Sequence, residues 1–184
     1  MLSDMENKVL QTKRLLLRPW KRSDAEELFK YAKDPQVGPI AGWQPHTSVE
    51  NSREVIDKYL SAPETYAVVL KETGLPVGSI GLMFAGATAL TDKADECELG
   101  YWIGVPYWGR GLIPEAVTEI VRHAFEDLGV SKVWCGYYDG NTKSKRVQEK
   151  CGFTFEKIIE DAFVPQMDER RKAYITSIKK EDRD

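Results

Sequence analysis

The sequence predicts a single α/β domain (α+β by stricter usage) covering residues 1–184, built on a mixed, twisted sheet of about seven strands with helices on both faces. Three observations carry this. The run from Glu96 to Tyr138 reads strand, glycine turn, amphipathic helix, strand, and a crossover of that kind makes its two strands parallel. Tyr66-Ala-Val-Val-Leu70 and Pro76-Val-Gly-Ser-Ile-Gly-Leu-Met83, joined by Glu72-Thr-Gly-Leu75, form a hairpin, so the sheet is antiparallel there. The length suits one domain, and no internal repeat, linker or low-complexity tract divides it.

The elements follow in order. Arg14-Leu-Leu-Leu-Arg-Pro19 reads as the first strand. Ser23 and Asp24 supply N-cap chemistry for a helix through Lys33, with Ala25, Leu28, Phe29 and Ala32 on its apolar side; Asp34-Pro35 stops it. Val37–Ser48, rich in Gly and Pro and carrying Trp43 and His46, reads as a loop. A second helix runs from Val49 to Ser61 before Pro63, the hairpin follows, and Phe84–Asp95 is small and polar enough to be a loop. A strand over Glu96–Gly104 precedes the glycine turn. In the helix over Pro114–Leu128, Ala116, Val117, Ile120, Val121, Ala124 and Phe125 keep the helical period, and Gly129 is a C-terminal stop. Lys132–Tyr138 is a strand, Asn141 caps a short helix to Cys151, and Phe153–Ile159 and Lys172–Ile178 close the sheet.

Composition excludes several classes of function. Net charge is −3 and no basic stripe with interleaved aromatics occurs, which argues against a nucleic-acid partner. The three cysteines, Cys97, Cys135 and Cys151, are odd in number and lack CxxC spacing, so they read as buried reduced thiols of a cytoplasmic protein. The two histidines, His46 and His123, lie far apart and have no clustered partners, so no metal is expected. The leader Met1–Asn7 has neither a basic region nor an apolar run, and no window approaches 18 apolar residues, so neither a signal peptide nor a membrane span is expected.

The chemistry concentrates in Glu98-Leu-Gly-Tyr-Trp-Ile-Gly-Val-Pro-Tyr-Trp-Gly-Arg-Gly-Leu-Ile-Pro-Glu115. A glycine turn ahead of a helix gathers main-chain N–H groups into a small volume, and the helix adds its unpaired amides and positive dipole end. That is a socket for a phosphate or pyrophosphate, hence for a nucleotide-like ligand. A dinucleotide fingerprint fits poorly: Gly109-x-Gly111-x-x-Pro114 lacks the third glycine, and Asp139 is too far downstream for a ribose contact.

From Glu98 to Gly152 the chain resembles the GNAT superfamily of acyl-CoA-dependent N-acetyltransferases, in particular the branch of bacterial ribosomal-protein N-terminal (alanine/serine) acetyltransferases. The ordered pieces are Glu98-Leu-Gly-Tyr-Trp-Ile103, Tyr107-Trp-Gly-Arg-Gly111 with Glu115-Ala116, Asn141-Thr-Lys-Ser144, and Arg146-Val-Gln-Glu-Lys-Cys-Gly-Phe153. Thr12-Lys-Arg-Leu-Leu-Leu-Arg18 and Gly42-Trp-Gln-Pro-His-Thr47 extend the likeness over nearly the whole chain. Two positions depart from the superfamily turn Gln/Arg-x-x-Gly-x-Gly/Ala: Trp108 stands first and Ile113 last. Ile113 is bulkier than Gly or Ala, which restricts approach of its backbone to a pyrophosphate.

The resemblance implies a mostly antiparallel sheet and acetyl-CoA as cosubstrate with no metal. It places Gly109, Arg110, Gly111, Leu112, Ile113, Pro114 and Glu115 around the pyrophosphate, with amides from Leu112 to Glu115 holding it. The pantetheine arm would run along Ile103, Gly104 and Val105. Ser144 is the implied general acid for the departing thiolate, three places after Asn141. If Asn141 is the N-cap, Ser144 sits in the first helical turn, where the dipole favours anionic charge; a serine there also serves local backbone capping. Asn141 combines capping with a place near the thioester.

Glu98 is the candidate base. Alternation puts Glu96, Glu98, Gly100 and Trp102 on one strand face and Cys97, Leu99, Tyr101 and Ile103 on the other. A carboxylate there can hold a water for amine deprotonation or pair with a lysine or arginine. Trp43, His46 and Tyr138 are candidates for the acceptor side, with packing of a long loop as the other reading.

The resemblance implies a primary amine as the acceptor. An α-amino group with pKa near 8 costs about 1 kcal/mol to deprotonate at pH 7, and a lysine near 10.4 about 4.6 kcal/mol. With few bases in the motif region, a protein N-terminal α-amino group is favoured by roughly 3 to 4 kcal/mol. A small-molecule amine (an antibiotic or polyamine) and a non-catalytic acyl-CoA-binding module are the alternatives. A monomer or homodimer is expected.

Overall fold

Leu10–Gln11 (β1) turns back onto Leu15–Pro19 (β2) through a tight bend held by Thr12, whose N–H donates to the Leu15 carbonyl and whose hydroxyl accepts from the Leu15 N–H. This computed structural model describes residues 8–183; the leader Met1–Asn7 lies outside the described residues, as does Asp184. The remaining strands are Thr65–Leu70 (β3), Pro76–Phe84 (β4), Glu96–Ile103 (β5), Lys132–Tyr138 (β6), Thr154–Val164 (β7) and Glu169–Lys179 (β8). They form one sheet in the order β1-β2-β3-β4-β5-β6-β8-β7. Every pairing is antiparallel except β5 with β6, as the crossover demands.

Helices Ala25–Ala32 (α1), Gly38–Ala41 (α2), Val49–Val55 (α3), Leu112–Glu126 (α4) and Thr142–Lys150 (α5) cover both faces. Alternation along β3 explains how. Tyr66, Val68 and Leu70 join the core under α4, with Ile113, Ala116, Val117, Ile120 and Ala124, while Ala67 and Val69 join a second core with Leu28, Ala32 and Ile56. Residues of period two thus meet residues of period 3.6 on each side of one layer.

Several boundaries differ from the sequence expectation. The sheet has eight strands rather than about seven; the extra one, β1, is two residues long and shows no alternation. The expected loop over residues 37–48 contains the single turn α2, with Pro39 in its first turn and Gly42 closing it in the left-handed region at φ 96°. The second helix is α only to Val55 and finishes as a π turn, Ile56–Leu60. The helix expected from Pro114 begins two residues earlier, because Gly111 at φ 72° ends the turn and starts the helix in one step. It also ends at Glu126 rather than Leu128. The last two strands are longer than expected, at 11 residues each.

The feature that shapes the site is the β5–β6 pairing. It spans three registers, Glu96 with Lys132, Cys97 with Val133 and Glu98 with Trp134, whereas β4–β5 and β6–β8 each continue through seven. Beyond Glu98 and Trp134 the parallel strands part, and a wedge opens in the middle of the sheet. Among the described residues no helix is long and apolar enough to cross a membrane.

Candidate active site

A cleft of about 1280 Å³ runs through this wedge, and Trp43, His46, Glu98, Tyr138, Asn141 and Ser144 all line it. They reach it from different faces. Cys97 and Leu99 of β5 and Val133 and Cys135 of β6 pack into the core under α4, so alternation turns Glu98, Trp102 and Tyr138 to the opposite face. Ser144 comes from α5, which packs beside α4. The hydroxyl and the carboxylate therefore approach one opening from its two sides.

On the carboxylate side, Glu98 accepts a hydrogen bond from the Thr88 hydroxyl, supplied by the loop after β4. Burial pushes its carboxyl above the usual glutamate range, with the Thr88 bond pulling the other way, and no cation among the described residues offsets the burial. Glu96, on the same strand face, behaves in the opposite way. Burial raises its carboxyl, but bonds from the Trp134 indole, Thr91 and Lys93 outweigh that and hold it down to about 2. The lysine-paired carboxylate of this strand is Glu96, and Glu98 is the solitary one.

Trp43 stands between His46 and Trp102, each ring centroid 5.5 Å away. His46 is tied to Ser52 through Nδ1 at 2.7 Å, and burial lowers its pKa, so the ring is neutral near pH 7. Arg171 lies over the Tyr138 ring at 5.2 Å.

On the hydroxyl side, the Asn141 side chain accepts from the Ser144 N–H at 3.2 Å, which makes Asn141 the N-cap of α5 and puts Ser144 in its first turn. Ser144 Oγ lies 2.8 Å from the Tyr101 hydroxyl and receives the Gln148 amide at 3.1 Å.

The glycine turn runs into α4. Gly109 and Gly111 have φ of 71° and 72°, and a Cβ at Gly109 would meet nothing within 4 Å, so conformation rather than space requires glycine there. Of the stretch Leu112–Glu115, Pro114 has no N–H and the Glu115 N–H donates to the Gly111 carbonyl at 3.2 Å. The free donors of the helix start are thus Leu112 and Ile113, preceded by the turn. The Ile113 side chain is buried in the core, so its bulk points away from the turn. At the end of β5 the Gly104 N–H donates to Val77 and the Ile103 carbonyl accepts the Trp108 indole at 3.0 Å, while the Val105 carbonyl accepts the Trp108 N–H.

Three cations surround the turn. Arg110 belongs to it, with its guanidinium over the Tyr107 ring. Lys143 lies over the Trp108 ring at 4.2 Å. Arg14 donates to the Arg110 carbonyl at 2.9 Å and pairs with Glu115 at 2.7 Å, with a nitrogen 3.6 Å from where a Gly111 Cβ would stand. Main-chain donors, a helix dipole and cations converging on one turn suit a diphosphate, and the open sheet edge beside it suits an extended amide-bearing arm.

Known proteins point the same way. The pattern described as "Acetyltransferase (GNAT) domain" matches residues 14–154, well over half of the chain. The chain belongs to the GNAT family of acetyltransferases. A curated relative, "Uncharacterized N-acetyltransferase p20" of Bacillus licheniformis, is 27% identical over 157 residues, which cover 83% of this chain and 85% of that protein. Among solved structures, a putative ribosomal-protein-serine acetyltransferase from Vibrio cholerae superposes with a TM-score of 0.75 at 22% identity, covering 94% of this chain and 97% of that one. RimJ of Mycobacterium smegmatis, solved in complex with CoA-disulfide, superposes at 0.76 with 18% identity, covering 96% and 90%.

This GNAT domain holds functional candidates that the sequence does not single out. Thr88 lies in a loop with no pattern, and its role rests on a contact to Glu98. Arg14 reads in the sequence as the start of a strand, although it stands 101 residues from the carboxylate it clamps. Tyr101 reads as one residue of a strand face, while its hydroxyl partner belongs to another element. None of these pairings has a local signal. The cysteines form no disulfide. Burial pushes the Cys97 thiol up to about 12 and raises the Cys135 thiol as well, which makes both poor nucleophiles at neutral pH.

Proposed function

We propose that this N-acetyltransferase moves the acetyl group of acetyl-CoA directly to a primary amine, and that the amine is the α-amino group of a protein N-terminus. The observation that carries this reading is the pair on opposite sides of one wedge: a capped first-turn hydroxyl, Ser144, and a carboxylate with no cation beside it among the described residues, Glu98. The bound thioester supplies the activated acyl group. Glu98, directly or through a water, takes the proton of the incoming amine, whose nitrogen forms the new C–N bond. Ser144 hands its proton to the sulfur as the C–S bond breaks and recovers one from solvent, to which Glu98 releases the proton it took from the amine. Leu112, Ile113 and the turn at Gly109–Gly111 hold the diphosphate, and Arg14, Arg110 and Lys143 balance its charge. The high thiol pKa values of Cys97 and Cys135 support transfer without an acyl-enzyme.

The choice of acceptor follows from the strength of the available base. His46 is neutral but tied to Ser52, and His123 is locked between Glu64 and Asp127 away from the cleft. A lone glutamate has to suffice, which favours amines that deprotonate easily by roughly 3 to 4 kcal/mol over lysine side chains. A wide cleft walled by Trp43, Trp102 and Tyr138 accommodates an extended segment, and the Vibrio cholerae neighbour is described as a putative ribosomal-protein-serine acetyltransferase. The test is mass spectrometry with labelled acetyl-CoA on peptides beginning with Ser or Ala, set against lysine peptides, polyamines and aminoglycosides. N-terminal label on the peptides is expected. Label confined to the small amines would replace this acceptor with a small molecule, and no labelled product at all would sink the transferase reading.

A further inference from the structure

The Ser144 hydroxyl has one proton and two lone pairs, and its neighbours decide where the proton points. Gln148 is buried (1% exposed) and its amide orientation is unambiguous. One end faces the Gly136 carbonyl at 3.0 Å, where only a nitrogen can stand, and the other accepts the Thr176 hydroxyl at 2.7 Å. The amide nitrogen spends one proton on Gly136, and its second faces Ser144 Oγ at 3.1 Å, nearer than the Tyr101 hydroxyl at 3.4 Å. The Tyr101 hydroxyl lies 2.8 Å from the same oxygen, where either hydroxyl can donate, and 3.3 Å from the Ser144 carbonyl, so its shorter and better placed acceptor is Oγ.

We propose that Tyr101 and Gln148 are positioning residues that both donate to Ser144 Oγ, filling its lone pairs and directing its single proton into the cleft toward the departing sulfur. This rests on Ser144 being the acid, and it adds two residues and a hydrogen-bond direction to that reading. Two donors on one oxygen also stabilise the alkoxide character that develops as the proton leaves, so they make the hydroxyl a better acid as well as a better aimed one. The strand parting is part of the device. Because β5 and β6 separate after Glu98 and Trp134, the Gly136 carbonyl has no β5 partner and is free to anchor Gln148. Burial raises the Tyr101 phenol, so it stays protonated as a donor throughout the neutral range.

Product binding tests this without knowledge of the acceptor. A hydroxyl proton aimed at the sulfur stabilises the thiolate of free CoA, so CoA should bind more tightly as its thiol ionises. Desulfo-CoA shares every other ionisable group and serves as the reference. Calorimetric titrations from pH 7 to 9.5 are expected to show the CoA-to-desulfo-CoA affinity ratio rising roughly ten-fold for the unaltered enzyme, the size of one charge-assisted hydrogen bond. Ser144→Ala should abolish the rise. Tyr101→Phe, which removes one oxygen, should cut it at least three-fold with desulfo-CoA affinity unchanged, and Ser144→Ala/Tyr101→Phe should match Ser144→Ala alone. Gln148→Met, tested for folding by its melting curve, should behave like Tyr101→Phe. A full rise in Tyr101→Phe, or an equal loss of desulfo-CoA affinity, overturns the proposal while leaving Ser144 as the acid. A rise that survives Ser144→Ala overturns the Ser144 reading itself.

Discussion

Glu98 and Glu96 stand two residues apart on one strand face and have opposite surroundings. Glu96 collects an indole N–H, a hydroxyl and an ammonium, while Glu98 has a single hydroxyl and burial. Carboxylates in such different settings ionise at different pH, and the one with the raised pKa and no counter-ion is the better proton acceptor of the two. A base works deprotonated, so kcat/KM should rise with pH through an inflection above the ordinary value of 4.5, set by burial of Glu98. Glu98→Gln should lower kcat/KM by about 10² to 10⁴ and remove that inflection. A loss below ten-fold, measured with whichever acceptor the peptide screen identifies, would take Glu98 out of the proton transfer. Ser144→Ala should cut kcat while acetyl-CoA KM stays within about two-fold, because the proposed acid acts on charge that develops only as the C–S bond breaks.

The start of α4 works as a unit with the β1–β2 bend. Glu115 accepts from the Thr12 hydroxyl and from both the main chain and side chain of Arg14, and Arg14 also holds the Arg110 carbonyl. Burial raises the Glu115 carboxyl, but these bonds outweigh it and keep it ionised. The turn is thereby clamped in the conformation that presents its N–H groups, and a cation stands beside it. Arg14→Ala should weaken CoA binding by roughly ten-fold in calorimetry, the size of one lost charge-assisted contact, with S-acetylpantetheine, which lacks the diphosphate, used equally well by both enzymes. Equal losses for the two donors would show that Arg14 acts on the fold rather than on the diphosphate. Gly111→Ala should cost about 1 to 2 kcal/mol, because an alanine is forced to the left-handed φ that Gly111 adopts.

Beyond the site, His123 joins α4 to the sheet. Its Nε2 lies 2.9 Å from Glu64, its Nδ1 lies 2.8 Å from Asp127, and Tyr66 donates to the same Glu64 oxygen at 2.6 Å. Two carboxylates at the two ring nitrogens call for both to be donors, hence a charged ring. Burial lowers the His123 pKa, yet the bonds to Glu64 and Asp127 outweigh it and raise the value above 6.5; Glu64 is lowered in turn. A raised histidine pKa contributes stability that is complete below pH 6.5 and fades as pH climbs through the folded value. A lowered glutamate pKa contributes stability present above about 4.5 and lost as pH falls through its folded value. The two together give a plateau between those limits. His123→Gln should destabilise the protein by about 3 to 5 kcal/mol near pH 6, because it leaves a buried carboxylate uncompensated. Urea unfolding should show the gap to the unaltered protein narrowing toward pH 9, and a gap that widened with pH would mean that His123 is neutral in the fold.

Local chemistry dictates most of the architecture. Hydrophobic period distinguishes strands from helices, Asn141 marks a helix start, the glycines of the turn mark another, and a crossover connection requires the parallel pair. Those signals act over a few residues, where sterics and hydrogen bonding are nearly independent of the rest of the chain. Short elements escape: β1 and α2 are too brief to display a period, and the π turn after α3 has the same pattern as an α-helix. The site is legible in part. Ser144, Glu98 and the glycine turn can be named from the sequence, whereas Thr88 on Glu98, Arg14 on Glu115 and Tyr101 on Ser144 cannot. Each of these joins residues 10, 101 and 43 positions apart through a packing arrangement that no local rule encodes. The sequence alone determined which groups this protein has to work with and which strand or helix presents each. Only the tertiary structure decided which carboxylate is solitary and which residues surround the Ser144 hydroxyl, because both depend on how far β5 and β6 part and on what lies in the gap between them.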